Sequence, residues 1–100
     1  MSLAKRLKEA RLRAGFSQER LGVVAGIDEM SASARMNQYE RGKHVPDLSM
    51  LERLASVLNV PAAYFYAADD DLARLLMMFH RLTQADKKRV LATVEEIYGN

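Results

Sequence analysis

Residues 15–45 carry two helix boundaries that leave the chain few ways to fold. Gly15-Phe16-Ser17-Gln18-Glu19-Arg20-Leu21 reads as a helix start, because the Ser17 hydroxyl can accept from a backbone N–H of the first turn. Asn37-Gln38-Tyr39-Glu40-Arg41-Gly42-Lys43 reads as a helix end. Gly42 can take the left-handed conformation that closes a helix, and Arg41 and Lys43 sit by the negative end of its dipole. Between the two lie one short helical stretch, a break at Gly26-Ile27, and a second stretch dense in hydrogen-bonding side chains. The segment reads as two short helices with a tight junction.

The rest of the chain is punctuated in the same way. A first helix is expected over Leu3–Ala14, capped by Ser2 and stopped by Gly15. Leu3, Leu7, Ala10 and Ala14 form its inward stripe, and Lys5, Arg6, Lys8 and Arg13 face out. The second helix turns Leu21 and Val24/Ala25 inward, and the third turns in Met36 and Tyr39. His44-Val45-Pro46 is extended, since the residue before proline avoids the helical region. Asp47 caps a fourth helix with Leu48, Leu51, Leu54, Ala55 and Leu58 inward, ending at Asn59. Pro61 opens a short fifth helix to Tyr66. Asp69-Asp70-Asp71 places negative charge at the start of a sixth helix, where it is favourable. Its stripe is Leu72, Leu75, Leu76, Phe79 and Leu82. Thr83 with Asp86 resembles a capping box opening a seventh helix, with Val90, Leu91, Val94 and Ile97 as its stripe. There is no β-alternation, internal repeat or low-complexity tract, so the fold class is all-α.

One hundred residues suffice for a small core. The absence of cysteine excludes disulfide frameworks and thiolate zinc sites and fits a reducing cytoplasm. No apolar run approaches the roughly 20 residues of a membrane span, and no apolar segment follows the basic start as a secretion signal requires. The net charge of +2 is unevenly placed. Through His44, nine Lys/Arg face five Asp/Glu; from Val45 on, six face eight. A basic first half and a mildly acidic second half suit one face for phosphates and another for something else.

These blocks together carry a resemblance. Residues 3–66 resemble the lambda-repressor-like helix-turn-helix domain of the Cro/XRE type. Arg6 to Leu21 look like that family's first helix and the start of its second. Tyr39-Glu40-Arg41-Gly42-Lys43, Pro46 and the run Leu54-Ala55 to Leu58-Asn59-Val60-Pro61 look like the rest. The resemblance implies a five-helix DNA-binding domain over residues 1–68; the two helices over 69–100 are read as an extension beyond it. It implies double-stranded DNA as the partner and transcriptional regulation, by default repression, as the role. The rival reading is a protein-interaction module, an antitoxin or adaptor, on the same domain.

The resemblance also implies residue roles. Gln18 bonds a backbone phosphate from the start of the second helix. Ser33, Ala34, Asn37 and Gln38 of the third helix meet base edges. Asn and Gln suit adenine, and Ala34 suits a thymine methyl. Arg35 reaches phosphate or guanine, and Arg41 and Lys43, with the amides around Gly42, form a phosphate clamp. Arg11 and Glu40 form a structural ion pair between the first and third helices.

The chain departs from the family between Ile27 and Met36, where about four residues are extra, within Asp28 to Ser33. Four residues are about one helical turn, so an extended third helix keeps its faces in phase. A longer loop is the alternative, and the cap-like Ser31 and Ser33 with the turn-suited Asp28 favour it. Gly22 stands where alanine is common and costs about 1 kcal/mol unless close packing needs it. Val23 and Val24 replace polar residues and are expected to cover the insertion.

The sixth helix is apolar nearly all round, through Leu75-Leu76-Met77-Met78-Phe79. Family operators are typically palindromic and read by dimers. Met77, Met78, Phe79, Leu91, Val94 and Ile97 are therefore the expected homodimer contact. His44 and His80 lack a paired-ligand spacing, so no metal is expected. There is no phosphate-cradling glycine loop and no nucleophile elbow, so neither cofactor nor enzymatic activity is expected.

Overall fold

Apolar stripes closed by caps become helices one after another along the chain. The computed structural model describes residues 3–99. The order is α1 (Leu3–Ala14), α2 (Gln18–Val24), α3 (Glu29–Glu40), α4 (Leu48–Leu58), a 3-10 turn (Ala62–Tyr66), α5 (Asp70–His80) and α6 (Gln84–Tyr98). No strand occurs among the described residues. The expected all-α fold is therefore observed, with the fifth element as a 3-10 turn. The expected cap Ser2 lies outside the described residues.

Side-chain caps close the N-termini where the sequence placed them. The Ser17 hydroxyl accepts from Arg20 N–H at 3.0 Å. Asp47 and Asp69 do the same for α4 and α5, each at 2.8 Å, and Thr83 for α6. Each cap removes one of the orphan donors of its helix. At the other ends, arginines from elsewhere serve carbonyls of the last turn. Arg53 Nε donates to Ala25 O, and Arg81 donates to Leu58 O and Asn59 O.

The core is one cluster under α1 to α4 and the 3-10 turn. Leu7, Leu21, Met36, Leu51, Leu54, Tyr64 and Phe65 are its largest fully buried side chains. Tyr64 and Phe65 meet edge to face at 5.6 Å. Burial raises the Tyr64 phenol above its ordinary range and keeps it neutral. Of the expected inward positions, Ala14, Val24 and Leu48 are exposed, as are Leu72 and Leu75 of α5 and Leu91, Val94 and Ile97 of α6; Gly22 and Met50 are buried instead.

Two corrections matter for function. Arg6 does not face out: it is 2% exposed and ties α1 to the segment leading into α5. The insertion is not a loop. Asp28 caps α3 through Met30 N–H, and the helix starts at Glu29, one turn early. Ser31 lies inside it rather than capping it.

Gly22 explains how the extra turn fits. A Cβ added there would stand 2.9 Å from Ala32 Cβ and 3.2 Å from Ala32 O. The first turn of α3 thus lies against bare α2 backbone. Gly22→Ala is expected to destabilise the protein by about 1–2 kcal/mol, because overpacking outweighs the better helix propensity. Urea melts of Gly22→Ala and of the double variant Gly22→Ala/Ala32→Gly check this. The double variant recovers most of the loss.

Candidate nucleic-acid interface

α3 is two-sided. Ala32, Met36 and Tyr39 are buried against the domain, and Ser33, Ala34, Arg35, Asn37 and Gln38 are exposed. Period 3.6 produces that split from the sequence as written. The four residues expected at base edges therefore share one accessible face of one helix. A shallow polar depression of about 420 Å³ borders its far end, lined by Arg35, Gln38, Tyr39, His44, Val45 and Asp47.

The closing turn supplies charge. Gly42 has φ +74°, the left-handed value expected of it. Its N–H donates to Tyr39 O, and the N–H groups of Lys43 and His44 converge on Gln38 O. These amides therefore cap α3 and are not open to a phosphate, which corrects that part of the expected clamp. The side chains of Arg35, Arg41 and Lys43 are exposed and have no hydrogen-bond or ion-pair partner among the described residues.

Arg11 and Glu40 meet as expected. Arg11 Nε and Nη2 donate to the two Glu40 oxygens at 2.5 and 2.9 Å, a bidentate fork, and Nη1 donates to Phe16 O. The Glu40 side chain is only 2% exposed and that of Arg11 10%. Gln18 is where the expectation changes. Its Nε2 donates to Glu40 Oε1 at 3.1 Å and more weakly to Asn37 Oδ1 at 3.4 Å. The amide expected on phosphate is engaged by these two intramolecular acceptors, linking the ion pair to the exposed face of α3.

The C-terminal side chains divide. Met77, one of the expected dimer-contact residues, is partly buried on the core, beside Ala10, Arg13 and Val60. Met78, Leu91, Val94 and Ile97 are 47–80% exposed, and Phe79 is half-buried under Lys87, whose Nζ lies 5.7 Å from the ring centroid. No described residue of α6 is buried. No group of three or more metal-ligating side chains occurs among the described residues, and no helix there is long and apolar enough to cross a membrane.

A family model described as a helix-turn-helix domain matches residues 2–76. This chain belongs to the helix-turn-helix family of the Cro/XRE type. Among its relatives, the HTH-type transcriptional regulator ImmR of Bacillus subtilis is 36% identical over 70 residues, 70% of this chain and 52% of ImmR. The SPbeta prophage-derived uncharacterized HTH-type transcriptional regulator YonR, also of Bacillus subtilis, is 38% identical over 56 residues, 56% of this chain and 48% of YonR. The chain thus spans about half the length of the curated relatives it matches. The crystal structure of transcriptional regulator BswR superposes with a TM-score of 0.87 at 50% identity, covering 96% of this chain and 94% of that one. Membership makes α2 and α3 the helix-turn-helix pair, with the turn at Gly26 and Ile27.

Sequence reasoning missed two residues of this region. Met30 lies in the added turn and is 92% exposed. Its register, four before Ala34 and seven before Asn37, was the available signal. Arg53 holds the turn by donating to Ala25 O across the C-terminus of α2. Nothing local to Arg53 foretold that.

Proposed function

We propose that this protein is a sequence-specific DNA-binding transcriptional regulator, a repressor by default, that reads a palindromic operator as a homodimer. One observation carries the reading: α3 offers Ser33, Ala34, Asn37 and Gln38 on a single exposed face, flanked by the exposed cations Arg35, Arg41 and Lys43, which have no ion-pair partner among the described residues. The polar face reads base edges in the major groove, and the cations meet phosphates on either side. Gln18 acts indirectly, orienting Asn37 through its amide. The protein works in the cytoplasm, as a binder rather than a catalyst.

The extension over 69–100 supplies the dimer contact. Leu72, Leu75 and Met78 on α5 and Leu91, Val94 and Ile97 on α6 leave apolar surface open that a second copy buries. The molecule measures 52 × 26 × 22 Å, and a radius of gyration of 15.2 Å exceeds the roughly 13 Å of a compact chain this long. α6 accounts for the difference, since none of its described residues is buried.

Selection from a random duplex pool tests the whole reading. The expected consensus is two-fold symmetric with half-sites about one helical turn apart. Gln38→Ala is expected to cost about 1–3 kcal/mol of discrimination at one base pair. Lys43→Ala weakens all sequences alike and lowers the salt slope by about 1. An adaptor would select no sequence and keep its protein partner when both residues are lost.

A further inference from the structure

Met30 is the one exposed large apolar side chain on the reading helix. It is 92% exposed, whereas Met36 is fully buried and Met50 nearly so. Its place is fixed, because its N–H is held by the Asp28 carboxylate at 3.1 Å. Behind it, Ala32 is fully buried and sits so close to Gly22 that no Cβ fits between them. The added turn is therefore seated on α2.

Residue 30 stands three places before Ser33, four before Ala34 and seven before Asn37, on the same face of α3. It extends that face by roughly 5 Å, one helical turn. In a major groove, base-pair edges display one apolar group, the C5-methyl of thymine. An unbranched, polarisable thioether suits that methyl in shape and chemistry.

We propose that Met30 is a specificity-determining residue that reads a thymine methyl just outside the base pairs met by Ser33 and Ala34. This rests on the DNA-reading role of α3 proposed above. The four-residue insertion then lengthens the sequence that each half-site specifies.

The test uses the full chain and two random duplex pools, one containing thymine and one with deoxyuridine in its place, which lacks only the methyl. The expected result is a thymine preference at an outer position of each half-site in the first pool and none there in the second. Replacing that thymine by uracil in a selected duplex weakens wild-type binding about fourfold, the factor for one buried methyl group. Met30→Ala binds both duplexes equally and keeps the rest of the consensus, and Met30→Leu retains the thymine preference. Circular dichroism melts verify that the variants fold. If Met30→Ala discriminates thymine from uracil as wild type does, the assignment is overturned and Ala34 or no side chain reads the methyl. If wild type selects no sequence from either pool, the DNA-reading role of α3 falls with it. A selected consensus insensitive to Met30 overturns this inference alone.

Discussion

Replacing Arg11 by alanine is expected to lower the melting temperature by more than about 12 °C. The guanidinium makes three hydrogen bonds, two to Glu40 and one to Phe16 O. Its loss strands the Glu40 carboxylate, 2% exposed, with the Gln18 amide as its one remaining partner among the described residues. Breaking one side of such a pair costs about 3–5 kcal/mol. In a domain this size each kcal/mol shifts the midpoint by roughly 4 °C or more. The pair itself contributes less than its rupture costs, because both ions were desolvated to form it. Arg11→Met with Glu40→Met is therefore expected to recover most of the lost stability. Thermal melts of the single and double variants check both statements, and an Arg11→Ala midpoint within about 3 °C of wild type, less than 1 kcal/mol, would defeat the scaffold role. The double variant has a second expected phenotype. Without Glu40, the Gln18 amide loses its stronger acceptor and Asn37 its orientation. DNA affinity then falls although the fold is stable.

Arg6→Ala is expected to cost about 2–4 kcal/mol, from unpaired carbonyls and lost charge contacts. Arg6 Nε donates to Ala67 O at 2.9 Å and Nη2 to Ala68 O at 3.3 Å. Nη1 lies 3.2 Å from Glu9 and 3.0 Å from Asp70. One buried guanidinium thus serves two successive carbonyls and the first residue of α5. Lysine keeps the charge but lacks the planar fork, so Arg6→Lys is expected to recover less than half of the loss. The loss is also localised. Hydrogen exchange is expected to quicken in α5, which Arg6 tethers, before it quickens in α2 and α3. Uniform quickening through all helices would show a general core defect instead.

The helices and their caps were legible because they rest on short-range interactions. Ser17, Asp47, Asp69 and Thr83 each bond an N–H three residues on, within one turn of the residue that names them. The exposed face of α3 was equally legible, since the buried Met36 and Tyr39 set its phase. The Arg11–Glu40 pair spans 29 residues, and only the family resemblance made it readable. Arg6 was not readable at all. The carbonyls it serves lie 61 and 62 residues away, and within α1, beside Glu9, it looks like any cation on a helix surface.

The insertion shows the same division. Asp28, Ser31 and Ser33 are all cap-forming residues, and local chemistry alone could start the helix at any of them. Packing decides for Asp28, because only an early start brings Ala32 onto Gly22. The two faces of α5 were decided likewise: Ala73, Leu76 and Met77 meet the core, while Leu72, Leu75 and Met78 remain about half exposed. The sequence by itself determined where the helices other than α3 begin and end, which residues of α3 face outward, and to which family the chain is similar. Those properties arise within a turn or two of backbone. Tertiary structure alone decided the length of α3, the burial of Arg6, the engagement of Gln18 and the outward face of α5. Each of these depends on which distant surface a side chain meets, and that is set by close packing between helices.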